Sequence, residues 1–464
     1  MSYESALAQM YALGHELAST PSHKFDLAHM RTLLGALGHP EKNLACVLIA
    51  GTNGKGSTSA TLASILQASG LKTGLYTSPH LVKINERIRL NGEPISDDDF
   101  AQLHDVVGRT AERLVAEGDL PWHPSFFEML TAMAFEYFSR ARPDLVVLEV
   151  GMGGRLDATN VVEPRLSVIA DVALDHQKYL GETLAEIARE KAGIIRCGGV
   201  VVTLPQMPGA NDIIGNAILD LGARAINAVP FVPPISPGSA EFWARAERQS
   251  TAESAEFAEK SLETPRSRYP LQVMGQQIIV ASPLIGRHQL RNIALAIASA
   301  EELHNQGFAQ ITSQSIERGI RETRWPGRFQ VLPATNGAPE IVLDVAHNPA
   351  GAWALRSTLS AVYPDRPVTL VFGVMRDKAV SEVAEILFPI AAHVILTQAN
   401  NPRSASSAEI RQAAARVAVD IREAADTSSA LAEARRTAGP DGLAVVTGSI
   451  YIVGEAMRML GLRI

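Results

Sequence analysis

The chain has 464 residues, 46% hydrophobic and 20% charged, with a formal net charge of −7 and two cysteines. That length exceeds one ordinary core and predicts two or three domains, while the negative balance argues against a nucleic-acid surface, which normally carries a basic face. No apolar run of membrane length occurs, Met1 to Thr20 lack a basic start followed by an apolar core, and Cys46 and Cys197 sit in no metal or redox spacing. A cytoplasmic enzyme with plain thiols and no membrane partner is expected.

The first predicted strand, Val47–Ala50, runs into Ala50-Gly-Thr-Asn-Gly-Lys-Gly-Ser57 and then a helical pattern. Glycines at 51, 54 and 56 let backbone approach an anion, Lys55 adds a point charge, and Ser57 offers a hydroxyl for Mg²⁺. Ile49 stands where the usual phosphate-loop pattern has its first glycine, and Gly56 separates the lysine from the hydroxyl residue. A plain glycine-rich turn is the alternative, but glycine, lysine and serine together at a strand-to-helix junction favour nucleotide triphosphate chemistry.

The next strand, Thr73–Thr77, leads into Tyr76-Thr-Ser-Pro-His80, where Pro79 stops the ladder and leaves Ser78 and His80 at the carboxyl edge; a bare turn stays open. Ser96-Asp-Asp-Asp99 predicts a helix opened by a capping box, and Phe126 to Phe138 a largely buried helix. Strand Leu145–Val150 carries Glu149 at its carboxyl end beside Gly151, Gly153 and Gly154, where an acid commonly holds nucleotide-bound Mg²⁺ and where a solvated glutamate is the alternative. Strand Leu166–Ala170 leads to Asp175-His176, a lone histidine that by itself is more often structural.

Thr183 and Glu186 predict a second capping box. The helix they open sets Leu184, Ile187, Ala188 and Lys191 on one stripe, continued by Ile194 and Ile195, so the lysine faces inward. Such a lysine either pairs with an acid, or has its pKa lowered until the neutral amine can add CO₂ and become a carbamate; snorkelling also stays open.

After strand Val200–Thr203, residues 229 to 268 carry five prolines from Pro230 to Pro265 and a polar Ala240 to Glu263 stretch, which predicts a surface insertion and a candidate for mobility. Beyond Arg324-Trp-Pro-Gly-Arg328, strands are predicted at Glu340–Val345, Val368–Phe372, His393–Thr397 and Leu443–Thr447. The expected class is α/β: an N-terminal phosphate-loop ATPase domain over 1–324 with a mostly parallel sheet, and a smaller Rossmann-like domain over 325–464.

These pieces resemble the folylpolyglutamate synthase and dihydrofolate synthase family, within the ATP-dependent amide ligases that include the muramyl amino-acid ligases. The motifs are AGTNGKGS from Ala50, YTSPHL from Tyr76, NERIRLNG from Asn85, SFFE from Ser125, LEVGMGGRLDATN from Leu148, LDHQKYLG from Leu174, EKAGI from Glu190, WPGRFQ from Trp325, LDVAHNP from Leu343 and TGSIYIVGE from Thr447. The resemblance implies that Thr52, Asn53, Gly54, Lys55, Gly56 and Ser57 hold ATP phosphates, and that Ser78, Glu149 and His176 coordinate two Mg²⁺ ions, with K⁺ admitted as a further cation. It makes Lys191 a carbamylated lysine, and Asn292, Arg328 and Asp344 the adenine, phosphate and ribose contacts with His347 beside them, in an active site between the two domains.

The implied reaction activates a substrate carboxylate as an acyl phosphate, which the amine of L-glutamate attacks, with Lys55, Lys191, His176 and His347 as catalytic groups. Leu27, Ala28, His29 and Met30, Ser125, Phe126, Phe127 and Glu128, and Leu156, Asp157 and Ala158 resemble the segments that hold dihydropteroate in members with two activities. Asp26-Leu-Ala-His-Met30 departs from the usual leucine and glutamate there. A monomer acting on ATP, L-glutamate, dihydropteroate and reduced folates is therefore expected. The rivals are a dedicated chain extender, a muramyl ligase, which would place threonine directly after the loop lysine, and a nucleotide switch indifferent to glutamate.

Overall fold

The computed structural model describes residues 1–14, 26–234, 265–334 and 337–462. The core of the expected insertion, 235–264, lies outside the described residues; its flanks are a 3₁₀ turn at Val229–Phe231 and a strand from Ser267. The chain divides into two compact units, the first from Met1–Val232, Gln272–Gln276 and Arg291–Gly319, the second centred on Ile320–Ile464.

The first unit is built on eight strands: β1 (Cys46–Ala50), β2 (Thr73–Tyr76), β3 (Ile88–Leu90), β4 (Glu93–Pro94), β5 (Leu145–Glu149), β6 (Leu166–Ile169), β7 (Val200–Thr203) and β8 (Arg224–Asn227). Their order is β4-β3-β2-β5-β1-β6-β7-β8, parallel from β2 to β8, with β3 and β4 antiparallel at one edge. Every residue of β1 and β5 is buried, as expected of strands covered on both faces. The edge hairpin turns on Asn91-Gly92, both with positive φ (50° and 84°), the two-residue geometry that matches strand twist.

Among the described residues the helices include α1 (Tyr3–Ala12), α2 (Leu27–Ala36), α3 (Lys55–Ala68), α4 (Asp97–Glu117), α5 (Phe126–Ala141), α6 (Gln177–Leu180), α7 (Leu184–Ala192), α8 (Pro208–Asp220) and α9 (Arg287–Asn305). The capping box expected at Thr183 is complete, and so is one at Ser125, where Glu128 Oε2 accepts the Ser125 N–H at 2.8 Å. The box expected at Ser96 is only half formed. Ser96 Oγ accepts the Asp99 N–H at 3.0 Å, but Asp99 takes the Ser96 hydroxyl at 2.7 Å, because aspartate is one methylene shorter than the glutamate that reaches back to the cap nitrogen.

A two-stranded sheet, β9 (Ser267–Val273) with β10 (Gln276–Ser282), precedes α9. The second unit's sheet is β11 (Gln330–Leu332), β12 (Glu340–Leu343), β13 (Val368–Phe372), β14 (His393–Leu396), β15 (Asp420–Glu423) and β16 (Leu443–Thr447), in order β11-β12-β16-β13-β14-β15, with only β11 antiparallel. Both sheets match the expected class. Among the described residues no helix is long and apolar enough to cross a membrane.

Helix Ser313–Glu322 packs so closely on α3 that a Cβ at Gly319 would overlap Ile65 Cα, whereas Gly215 on α8 faces open space. Gly319→Ala is expected to cost about 1–3 kcal/mol by overpacking. Gly215→Ala should be neutral or gain up to about 1 kcal/mol from helix propensity. Denaturant midpoints check this; equal shifts for the two variants would contradict the packing.

Candidate active site

In the first sheet the neighbours β2, β5, β1 and β6 end together, since Tyr76 pairs with Leu148, Ile49 with Glu149 and Ala50 with Ile169. Their following loops therefore lie side by side at the carboxyl edge, where open α/β sheets bind ligands. Ser78, Glu149, the 51–57 turn and Asp175-His176, far apart in sequence, become neighbouring loops.

Gly54 caps α3 with φ 86°, and a Cβ there would overlap the Asn292 side-chain oxygen, so only glycine fits. Asn292, 2% exposed on α9, thus sits against the phosphate loop, and its carbonyl accepts Thr58 Oγ1 at 3.4 Å. One expectation changes. The N–H groups of Thr52 and Asn53 do not point to an anion; both donate to Asp171 O, at 2.8 and 3.1 Å, because the turn is lashed to the loop after β6. Thr52 Oγ1 also donates to Ala173 O at 3.0 Å. An anion is left the first turn of α3, Lys55, Gly56 and Ser57, whose N–H groups have no intrahelical partner. Lys55 Nζ donates to Gly51 O at 3.0 Å and Thr52 O at 3.3 Å.

Lys191 is 3% exposed, and its Nζ donates to that same Gly51 O at 2.8 Å. The approach depends on Gly154, where a Cβ would lie 2.7 Å from Glu190 O on α7, and the Arg155 N–H fixes the contact by donating to Glu190 O at 2.8 Å. Burial, then the charge of Lys55, pushes the Lys191 ammonium down to about 7, against the pull of Asp175 and Asp157. Of the partners open in the sequence, the Nζ hydrogen bond goes to a carbonyl and not to a carboxylate.

Glu149 is 4% exposed, and its Oε2 accepts the Ser78 N–H at 3.2 Å. His176 adopts a left-handed conformation (φ 52°) at the start of α6, with Nε2 3.8 Å from Asp175 Oδ2. Among the described residues no three His, Cys, Asp or Glu gather into a metal cage. That donor set fits Mg²⁺, which is held by one or two carboxylates together with substrate phosphates and water.

The three segments expected at the pterin also converge, for α2 and α5 pack on each other and both on the 3₁₀ turn Ala158–Val161. His29 Nδ1 lies 3.1 Å from Glu128 Oε1. Phe127 packs on Gly151 and at 6.1 Å from the Tyr76 ring. Asp157 is engaged within its own loop, accepting Met152 N–H and Thr159 N–H, each at 3.0 Å, and burial pushes its carboxyl up. Leu27, Ala28 and Met30 lie on α2, Phe126 opens α5, and Leu156 precedes Asp157.

In the second unit, Asp344 follows β12 and accepts the Phe329 N–H at 2.8 Å and the Ala346 N–H at 2.9 Å; burial pushes its carboxyl up although Arg328 and His347 pull it down. Arg328 lies over the Trp325 ring at 5.9 Å. His347 Nδ1 is 2.9 Å from Val345 O, so that nitrogen carries the proton. These three residues therefore form one cluster.

Sequence reasoning passes over Asp171 and Arg291. Arg291 holds the Asp171 carboxylate at 2.6 Å while the Asp171 carbonyl takes the loop N–H groups. The available signal is position, an acid just past β6 and a cation beside Asn292. Because the folded-state pKa of Lys191 lies below its ordinary 10.5, folding is penalised increasingly as pH falls from 10.5 toward about 7, and fully below it. Lys191→Met should therefore gain stability over the parent as pH falls through that window. Unfolding midpoints at pH 7 and 10 check this; a constant difference would contradict the lowered pKa.

Residues 327–450 match the family model described as Mur ligase, glutamate ligase domain. The chain is 33% identical over 94% of each sequence to the dihydrofolate synthase/folylpolyglutamate synthase of Bacillus subtilis. It superimposes on Mycobacterium tuberculosis folylpolyglutamate synthase, crystallised with ADP and AMPPCP, with TM-score 0.83 and 30% identity over all of both chains. It superimposes on E. coli FolC in complex with DHPP and ADP, with TM-score 0.79 and 26% identity over 99% of this chain and 98% of that one. With the phosphate-loop edge and the 27–30, 125–128 and 156–158 convergence, these likenesses place the chain plainly: it belongs to the dihydrofolate synthase/folylpolyglutamate synthase family of ATP-dependent ligases.

Proposed function

We propose that this ligase joins L-glutamate both to dihydropteroate and to the glutamate tail of reduced folates. The observation that carries the proposal is the meeting of Lys55 and Lys191 at the Gly51 carbonyl, with the buried Glu149 on the adjacent strand. Residues 1–324 serve as the ATP-binding domain and 325–464 as the ligase domain.

The acceptor carboxylate oxygen attacks the γ-phosphorus of ATP, and ADP leaves. The neutral amine of glutamate then attacks the acyl carbon, phosphate leaves, and the amine gives up its proton as the amide forms. Lys55 and the first turn of α3 stabilise charge on the transferred phosphoryl group, and Asn292 keeps the turn in shape. Ser78, Glu149 and His176 would hold Mg²⁺, which when bound supplies further charge neutralisation at the phosphates. Arg328, Asp344 and His347, clustered within the ligase domain, are assigned to nucleotide contacts.

Lys191 is the residue for carbamylation. Its neutral amine adds CO₂, forming an N–C bond and releasing one proton, and the product is an anionic oxygen donor beside Lys55. A lysine near pH 7 in its titration has that neutral form available. The segments assigned to dihydropteroate are α2, the first turn of α5 and the 156–158 loop, which pack on one another.

Phosphate release from ATP in Mg²⁺, K⁺ and bicarbonate, with L-glutamate and either dihydropteroate or tetrahydrofolate, tests this when products are weighed by mass. Turnover with both acceptors is expected. Turnover with tetrahydrofolate alone would remove the dihydropteroate half, and ATP consumption indifferent to glutamate would mean a nucleotide switch. Glu149→Ala should lose kcat by about 10²-fold or more with its circular dichroism intact; unchanged Mg²⁺ dependence would contradict the metal role.

A further inference from the structure

His29 is buried between two acceptors. Its Nε2 lies 3.0 Å from Trp122 O and its Nδ1 3.1 Å from Glu128 Oε1, while the ring stacks on the Trp122 indole at 5.5 Å and 17°. A carbonyl and a carboxylate both only accept, so both ring nitrogens must carry protons, and the geometry is that of an imidazolium. The neutral ring would turn a lone pair toward one of its two partners and lose that contact.

The two partners matter because of what they carry. Glu128 sits in the first turn of α5, and its other oxygen, Oε2, is held by the Ser125 N–H at 2.8 Å and Ser125 Oγ at 2.7 Å. That end of α5 is therefore fixed by its own cap whether or not His29 is charged. His29 is on α2, whose neighbours are α4, α5 and the Ala158–Val161 turn. Loss of the imidazolium would thus remove a polar contact between α2 and a cap that stays in place.

We infer that His29 is a positioning residue for the pterin-bearing acceptor: charged, it clamps Leu27–Met30 to the Ser125–Glu128 turn, and uncharged, it loosens acceptor binding while the phosphate loop is unaffected. This rests on the proposed dihydropteroate reading. The other ionisable groups around the pair are Asp26, His104 and, beside Trp122, His123, whose Nδ1 lies 2.9 Å from Pro124 O. Asp26 caps α2 itself, and on α4 the buried His104 is held below its ordinary pKa by burial. The Ala158–Val161 turn carries no ionisable side chain, and Asp157 at its cap is taken up by its own loop. Burial alone would push His29 down, but the hydrogen bond and charge of Glu128 hold it above 6.5; Glu128 in turn is held below its ordinary range. The clamp is therefore complete below pH 6.5 and is lost as pH rises through the raised His29 pKa.

The test is the KM for dihydropteroate measured across about pH 6 to 9 for the parent, His29→Leu and Glu128→Gln, with the KM for ATP measured alongside. Glutamine preserves the capping box but not the charge. The parent KM for dihydropteroate should rise about tenfold with pH, as expected for one charge-assisted bond, while its KM for ATP moves less than roughly twofold. Both variants should show the high value at every pH. A parent profile that is flat, or that both variants reproduce, overturns the inference. If the parent does not turn over dihydropteroate at all, the functional reading falls and this inference with it.

Discussion

One carbonyl oxygen organises the nucleotide end of this molecule. Gly51 O, the first acceptor beyond β1, takes hydrogen bonds from Lys55 and Lys191, residues on two different helices. Burial disfavours the charged form of Lys191, and the Lys55 ammonium brought to the same acceptor adds to that cost, so the Lys191 pKa is the one that falls. A fold that imposes such a conflict is suited to anions, because phosphates, or a carbamate on Lys191, relieve it. The surrounding architecture serves that convergence. Asp171 ties down the Thr52 and Asn53 amides, Arg291 holds Asp171, and Gly154 lets α7 come close enough for Lys191 to reach across.

The loop after β5 connects this end to the segments proposed to hold the acceptor. It follows Glu149, closes on itself through Asp157 and Met152, docks on α7 through Arg155, and receives the Phe127 ring over Gly151. A single segment thus touches the Glu149 carboxylate proposed to hold the metal, the Lys191 helix and the aromatic start of α5. Its glycines serve close packing as much as conformational freedom, which explains why three of them fall within four residues.

The strands that are buried on both faces were legible in sequence. β1, β5, β6, β13, β14 and β16 lie within a residue or two of their apolar runs, since a strand covered by helices must be apolar throughout. Edge strands were not: β8 and β15 read Arg-Ala-Ile-Asn and Asp-Ile-Arg-Glu, half exposed, with no continuous apolar signal. The β3–β4 hairpin had a signal, Asn91-Gly92, inside a motif noticed for another reason. At the site, the inward stripe of α7 announced Lys191, and glycine spacing announced the loop. The lashing of Thr52 and Asn53 to Asp171 could not be seen, because it depends on which strand lies beside β1, and strand order is a property of the sheet rather than of any local pattern.

The most direct test is ¹³C NMR of the protein equilibrated with ¹³C-bicarbonate near pH 7.5, comparing the parent with Lys191→Ala. The account predicts one carbamate resonance from the parent, retained on removal of free bicarbonate in the presence of Mg²⁺ and nucleotide, and absent from the variant. A parent spectrum without that resonance, or a variant that keeps it, would contradict the claim that Lys191 is a neutral amine poised at the Gly51 carbonyl.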